Sequence, residues 1–167
     1  MAATSIAIPA DSTDSVDLGG IGVAWKIPGA ATGERFAVVH HPLARRALAA
    51  PLHRHTREDE YSYVLEGTLG ALLGDDVVTA GPGTWVFKPR DQWHTFWNAG
   101  DTPCEIIEII SPAGFETFFR ELAALFAGEA PEGAAGMGEL CVRYGVDMDP
   151  STVPGLCKRF GLTHPLV

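Results

Sequence analysis

The chain has 167 residues, 46% of them hydrophobic, and a formal net charge of −9. That length and apolar content suit one folded domain with its own core rather than a disordered segment. The acidity excludes a nucleic-acid footprint and docking on an anionic membrane, both of which need clustered positive charge.

Residues 1–20 are rich in Ser, Thr, Asp and Gly and read as an N-terminal arm. The start, Met1 to Pro9, has neither a basic segment nor a long apolar one, so no signal peptide is expected. No apolar run approaches the roughly 18 residues of a membrane span. Residues 21–111 are short β-like runs separated by Gly, Pro and Asp, at 22–27, 35–41, 46–55, 60–66, 69–73, 76–80, 84–87, 93–98 and 104–110. Many short strands with turn residues between them indicate a β-sandwich or barrel. Gly74-Asp75-Asp76 reads as a hairpin turn.

Residues 112–167 read as a helical C-terminal extension. Ser111 is placed to cap the first helix and Pro112 to occupy its first turn. Phe115, Phe118, Phe119, Leu122, Leu125 and Phe126 then fall on one helical face, which predicts a helix covering the β-domain. A Gly/Ala-rich loop follows. After it, Leu140-Cys-Val-Arg-Tyr-Gly-Val146 is echoed by Leu156-Cys-Lys-Arg-Phe-Gly-Leu162. Both read as short helices ended by a left-handed glycine, Gly145 and Gly161. The cysteines are Cys104, Cys141 and Cys157. An odd, low count does not make a disulfide framework. Burial of Cys141 and Cys157 is therefore expected over a bridge between them, and a reducing cytoplasm is the expected compartment.

The chemistry concentrates in Pro51-Leu-His-Arg-His-Thr-Arg-Glu-Asp-Glu-Tyr61 and Lys88-Pro-Arg-Asp-Gln-Trp-His94. Strand side chains alternate, so His53 and His55 point to one face. With Glu60 and His94 they form a donor set able to hold a transition metal. Glu58 and Asp59 read as solvated turn residues.

These residues resemble the cupin superfamily, whose first motif is G-x5-H-x-H-x3/4-E-x6-G. His53, His55, Glu60 and Gly67 match it, with Ala47 in place of the leading Gly. The second motif, G-x5-P-x-G-x2-H-x3-N, is matched by Gly83, Pro89, His94 and Asn98, with Asp91 in place of the inner Gly. Asp91 reads as a turn device, since Asp tolerates positive φ better than most residues, with an extra carboxylate near the metal mouth as the alternative. The resemblance implies a mainly β, cupin-type jelly-roll barrel with one divalent ion (Fe, Mn, Ni, Cu or Zn) in its mouth. The ligands would be His53, His55, Glu60 and His94. The segment Ser111-Pro-Ala-Gly-Phe-Glu and the helical tail resemble small single-domain quercetinase-like cupins. That likeness implies a dioxygenase acting on a small enol or hydroxy-ketone, with Glu60 as ligand and catalytic base. The alternatives are a non-oxidative isomerase, cyclase or lyase, and a non-catalytic small-molecule-binding module.

Around this set, alternation puts Phe96 with His94 in the pocket and Trp93 and Trp97 outside it. Tyr61 and Tyr63 oppose Glu60. His40 and His41 read as a solvated strand end, with a role for one as a general base left as the alternative. Glu105 and Glu108 have opposite parity, so one of them can face inward. A homodimer is the expected assembly, because strand edges and an exposed aromatic face invite pairing.

Overall fold

The computed structural model describes residues 7–9, 14–129 and 136–165. The first strands are β1 (Ser15–Asp17), β2 (Gly22–Ile27), β3 (Ala37–Leu43), β4 (Leu52–His55) and β5 (Asp59–Glu66). They are followed by β6 (Leu69–Leu73), β7 (Asp76–Ala80), β8 (Trp85–Lys88), β9 (His94–Asn98) and β10 (Cys104–Ser111). A single turn of helix, α1 (Gly29–Thr32), joins β2 to β3. One sheet runs β1-β2-β3-β10-β5-β8, and every pairing in it is antiparallel.

The tail contains α2 (Phe118–Ala127), α3 (Met137–Tyr144), a strand β11 (Val146–Asp149) and α4 (Val153–Phe160). The second sheet runs β11-β4-β9-β6-β7, also antiparallel. The two sheets face one another across a core that includes Val64 and Ile106 from the first and Leu69, Ala71 and Phe96 from the second. The strand order leaves edges at β1, β8, β11 and β7, so the jelly roll is a pair of facing sheets rather than a closed hydrogen-bonded ring.

Alternation explains most of the burial. In β10 each even-numbered residue from Cys104 to Ile110 is buried, and the residues between them are half-exposed. One close approach depends on a missing Cβ. Gly70 pairs with Trp97 across β6 and β9, and a Cβ on Gly70 would overlap the Trp97 indole. The turn between β6 and β7 is made by Gly74, whose φ is 61°.

Several expectations need correction. The strand expected at 46–55 is only Leu52–His55. Arg46 takes a left-handed φ of 56°, and Ala47 and Leu48 make isolated bridges to Thr163 and Trp97 instead. The helix expected to begin at Ser111 and Pro112 begins later. Ser111 is the last residue of β10, paired with Asp59, and its hydroxyl donates to the Arg35 carbonyl. A 3₁₀ turn at Phe115–Thr117 leads into α2. Long-range strand pairing has overridden a local capping signal. The tail is also not wholly helical, because β11 pairs along all of β4 and covers an edge that would otherwise leave backbone groups open. The strand expected at 35–41 is shifted to Ala37–Leu43, following a left-handed Glu34 with φ of 61°.

The tail otherwise packs as its periodicity predicts up to Leu122, while Phe126, expected on the same face, is 58% exposed. Phe115, Phe118, Leu122 and Leu140 form a second core with Trp25, Val39 and Ile110. Val153, Leu156 and Cys157 form a third with Leu48, Leu72 and Trp97 on the outer face of the second sheet. Gly145 and Gly161 close α3 and α4 with φ of 67° and 65°. Cys104, Cys141 and Cys157 are free thiols, and the last two lie in different cores. Much of the Gly/Ala-rich loop and of the N-terminal arm lies outside the described residues. Among the described residues, no helix is long and apolar enough to cross a membrane.

Candidate metal centre

β4 is short, but its alternation sends His53 and His55 inward and Arg54 outward to Asp147. His94 opens β9 directly opposite His53. Glu60 comes from the facing sheet, on the buried side of β5 with Ser62 and Val64. The four residues are buried, and one ligand-capable atom from each lies within 4.8 Å of the others. Glu60 Oε2 is 3.3 Å from His94 Nε2 and 3.6 Å from His55 Nε2. Donors bound at right angles to one ion at about 2.1 Å would be about 3 Å apart.

The imidazole tautomers follow from their outer contacts. His53 Nδ1 donates to the Pro51 carbonyl at 2.9 Å, and His94 Nδ1 donates to the Gln92 carbonyl at 3.0 Å. A carbonyl only accepts, so both rings carry hydrogen on Nδ1 and present a bare Nε2 to the centre. His55 Nε2, His94 Nε2 and Glu60 Oε2 are buried without a hydrogen-bond partner. Leaving such atoms unsatisfied costs about 1–3 kcal/mol each. Three that converge on one point fit a shared cation, and the donor set is of the right chemistry to hold one.

Protonation agrees with this. Burial lowers His53 well below the ordinary histidine value and also lowers His94, keeping both neutral. Burial by itself would raise the Glu60 carboxyl, but Lys88 and His55 outweigh it and hold Glu60 well below the usual range.

Lys88 is the residue that sequence reading missed. It pairs with Glu60 across β5 and β8, is 1% exposed, and points inward beside Val86. Its Nζ donates to Glu108 Oε2 at 2.9 Å, lies 3.3 Å from Glu60 Oε2, and sits 4.2 Å from the centre of the Phe96 ring. The Ser62 hydroxyl also donates to Glu108 Oε2, at 2.7 Å. Burial would depress Lys88, but the two carboxylates raise it. Burial pushes Glu108 up to about 7 against the pull of Lys88. The signal for this pair lies in parity: a strand that buries Val86 must also bury residue 88, and Glu108 is the opposite charge on an inward position.

Other expected residues divide. Glu58 is not a solvated turn residue. It is 5% exposed, and its Oε2 lies 3.6 Å behind His55 Nδ1. Asp59 does face outward, and Arg90 grips it with two nitrogens. His41 is not a solvated strand end either. It is buried, donates from Nδ1 to the Gly22 carbonyl at 2.8 Å, and lines the cavity, while His40 faces Glu105 at 3.2 Å on the outside. Asp91 serves the turn: its φ is 64°, its N–H donates to the His55 carbonyl at 2.7 Å, and its side chain is exposed. Trp97 stacks on Phe160 of α4 at 4.3 Å, and Phe96 lines the cavity.

That cavity, of about 250 Å³, opens onto the cluster and is otherwise largely apolar. The tail supplies one wall, through Phe115, Phe118, Phe119, Leu122 and Met137.

Residues 42–110 match the cupin domain family. The match takes in both motifs and all four candidate ligands. Solved cupin-fold structures superpose on most of the chain. One is KdgF from Halomonas sp., 20% identical, covering 68% of this chain and 99% of its own, with a TM-score of 0.60. Another is a predicted oxalate decarboxylase from Thermotoga maritima, 18% identical, covering 64% and 99%, with a TM-score of 0.60. A third is Pac13 from Streptomyces, described as a nucleoside dehydratase, 16% identical, covering 68% and 88%, with a TM-score of 0.54. At these identities the likeness is one of fold. No curated protein sequence matches the chain.

Proposed function

We propose that the protein is a metal-dependent cupin enzyme acting on a small organic molecule, and that the reaction is a dioxygenation. The observation that carries this reading is the convergence of three unsatisfied buried donor atoms at the inner end of an apolar cavity. His53, His55, His94 and Glu60 would hold the ion. When bound, a divalent transition metal supplies open positions for a chelating enol or hydroxy-ketone and for dioxygen. The chain's own residues do the rest. The Nδ1 bonds to the Pro51 and Gln92 carbonyls fix the two imidazole planes. Lys88 steadies Glu60 Oε2, and the Glu60 carboxylate would serve both as ligand and as the base for the substrate. The phenylalanines of the tail keep bulk water from the site.

A second reading, a non-oxidative lyase or isomerase, draws on the buried Lys88–Glu108 pair, an acid–base couple that oxygen chemistry does not require. The dehydratase activity ascribed to Pac13, which shares the fold, lends it support. Oxygen-electrode screening of the metal-loaded protein with hydroxy-ketones and diketones separates the two. Turnover with stoichiometric oxygen uptake supports the dioxygenase. Equal turnover under argon supports the lyase. Saturable binding without turnover in either gas leaves a binding module.

We also propose a homodimer formed through the outer face of β5 and β8, where Tyr61 stacks on Phe87 at 4.9 Å and Tyr63 lies 4.8 Å from Trp85. Trp85 and Phe87 are each about half-exposed on an edge strand. Light scattering giving a monomer mass would refute it. A cytoplasmic location is proposed with it, supported by the three free buried thiols.

A further inference from the structure

Beyond the metal cluster, the cavity is lined by two polar side chains that each keep one acceptor atom without a partner. Glu108 is 1% exposed and lines the cavity. Its Oε2 receives both Ser62 Oγ and Lys88 Nζ, while its Oε1 is buried without a partner. His41 lines the same cavity and donates from Nδ1 to Gly22, so its Nε2 is left as an acceptor. The two sit on adjacent strands: His41 is opposite Ile106, and Glu108 is the next inward residue along β10. Neither group is needed to hold the ion, yet a buried carboxylate oxygen without a donor is costly. The ligand is therefore the natural source of that donor.

Size limits the ligand further. A cavity of about 150 Å³ holds one benzene, so the 250 Å³ here corresponds to about ten non-hydrogen atoms. That volume suits one ring with short substituents, and a three-ring flavonol would have to project from the mouth.

We infer that the substrate is a single-ring, largely apolar molecule with a chelating enol or hydroxy-ketone at the metal end and a separate hydroxyl that donates to Glu108 Oε1. Glu108 is then the specificity residue, and His41 offers a second acceptor beside it. This rests on the metal-enzyme reading for the chelating end only. The second hydroxyl and the size limit are independent of whether the reaction uses oxygen.

The test is calorimetric binding to the metal-loaded protein under argon. The probes are ortho-hydroxyacetophenone, the isomeric derivatives of it with one further ring hydroxyl, the corresponding methyl ethers, and a flavonol. At least one dihydroxy isomer should bind roughly 10-fold to 100-fold tighter than the parent, the range of a hydrogen bond to a charged group. Its methyl ether should lose that gain, and the flavonol should bind more weakly than the parent. Glu108→Gln should shrink the gain, taken as the ratio of dihydroxy probe to parent measured on the same variant. The wild-type series decides the matter even if that variant does not fold. No isomer exceeding the parent, a flavonol binding tighter than every single-ring probe, or no binding of any probe overturns the inference. Loss of oxygen uptake alone bears only on the dioxygenase reading.

Discussion

Lys88→Met removes a buried ammonium from between two buried carboxylates. The replacement has similar length and no charge, so it leaves Glu60 and Glu108 facing each other without the ammonium that lies 3.3 and 2.9 Å from their oxygens. Both carboxylates and the lysine are almost wholly buried, so solvent screening cannot compensate. Removing one partner from such a pair typically costs about 3–5 kcal/mol. A divalent ion on the histidine cluster would neutralise Glu60 in its place, so the loss should be large in chelator-treated protein and smaller after metal loading. It should also depend on pH. Burial already lifts Glu108 to about 7 with Lys88 pulling it down, and without Lys88 it rises further. A carboxyl with a raised folded-state value loses stability as pH rises through that value, so the variant's deficit should be greatest above neutrality and shrink towards pH 5. Urea unfolding with and without chelator at several pH values measures each part. A deficit below about 1 kcal/mol in chelator-treated protein at neutral pH would refute the reasoning. So would a deficit that grows on acidification.

His53→Ala and His94→Ala should each abolish stoichiometric metal binding in elemental analysis while circular dichroism retains the β-signature; full occupancy in both would overturn the ligand assignment. Burial lowers His41 from 6.5 to about 4, so the unfolded chain takes up a proton that the folded one refuses. Stability from this residue is present above pH 6.5 and is lost as pH falls towards 4, by up to about 3 kcal/mol. His41→Phe should flatten that slope in chelator-treated protein, read as the urea midpoint at neutral pH against mildly acid pH. Gly70→Ala drives a methyl into the Trp97 indole and should cost about 1–3 kcal/mol in thermal unfolding, whereas Gly81→Ala, with nothing near its Cβ position, should cost little.

What the sequence conveyed follows from which interactions are local. The β-domain was legible because alternation and turn residues act within a few positions, as β10 shows. His53, His55, Glu60 and His94 were legible because fixed spacings carry them. Lys88 was not, and parity left Glu108 as one of two candidates for an inward position, because the two are brought together across β5 only by sheet register. Glu58 and His41 were misread for a related reason. Both are polar residues in stretches where composition suggests solvent, but His41 packs on Phe96 and on Phe119 of the tail, and Glu58 sits behind His55. β11 was hidden in a helical-looking stretch because its pairing partner lies more than ninety positions earlier in the chain.

β11 also governs how the centre is assembled. β4, which carries two of the proposed ligands, shares four residue pairs with β11 but only one with β9. The strand is thus anchored chiefly by the last part of the chain, the same part whose helices wall the cavity. Docking of that segment and occupancy of the ion site are then linked equilibria, and linkage is reciprocal. A loaded ion should slow amide exchange along Val146–Asp149, and clipping the chain ahead of α3 should speed the release of an ion that no cut residue touches. On this view, docking of the tail and retention of an ion rise and fall together.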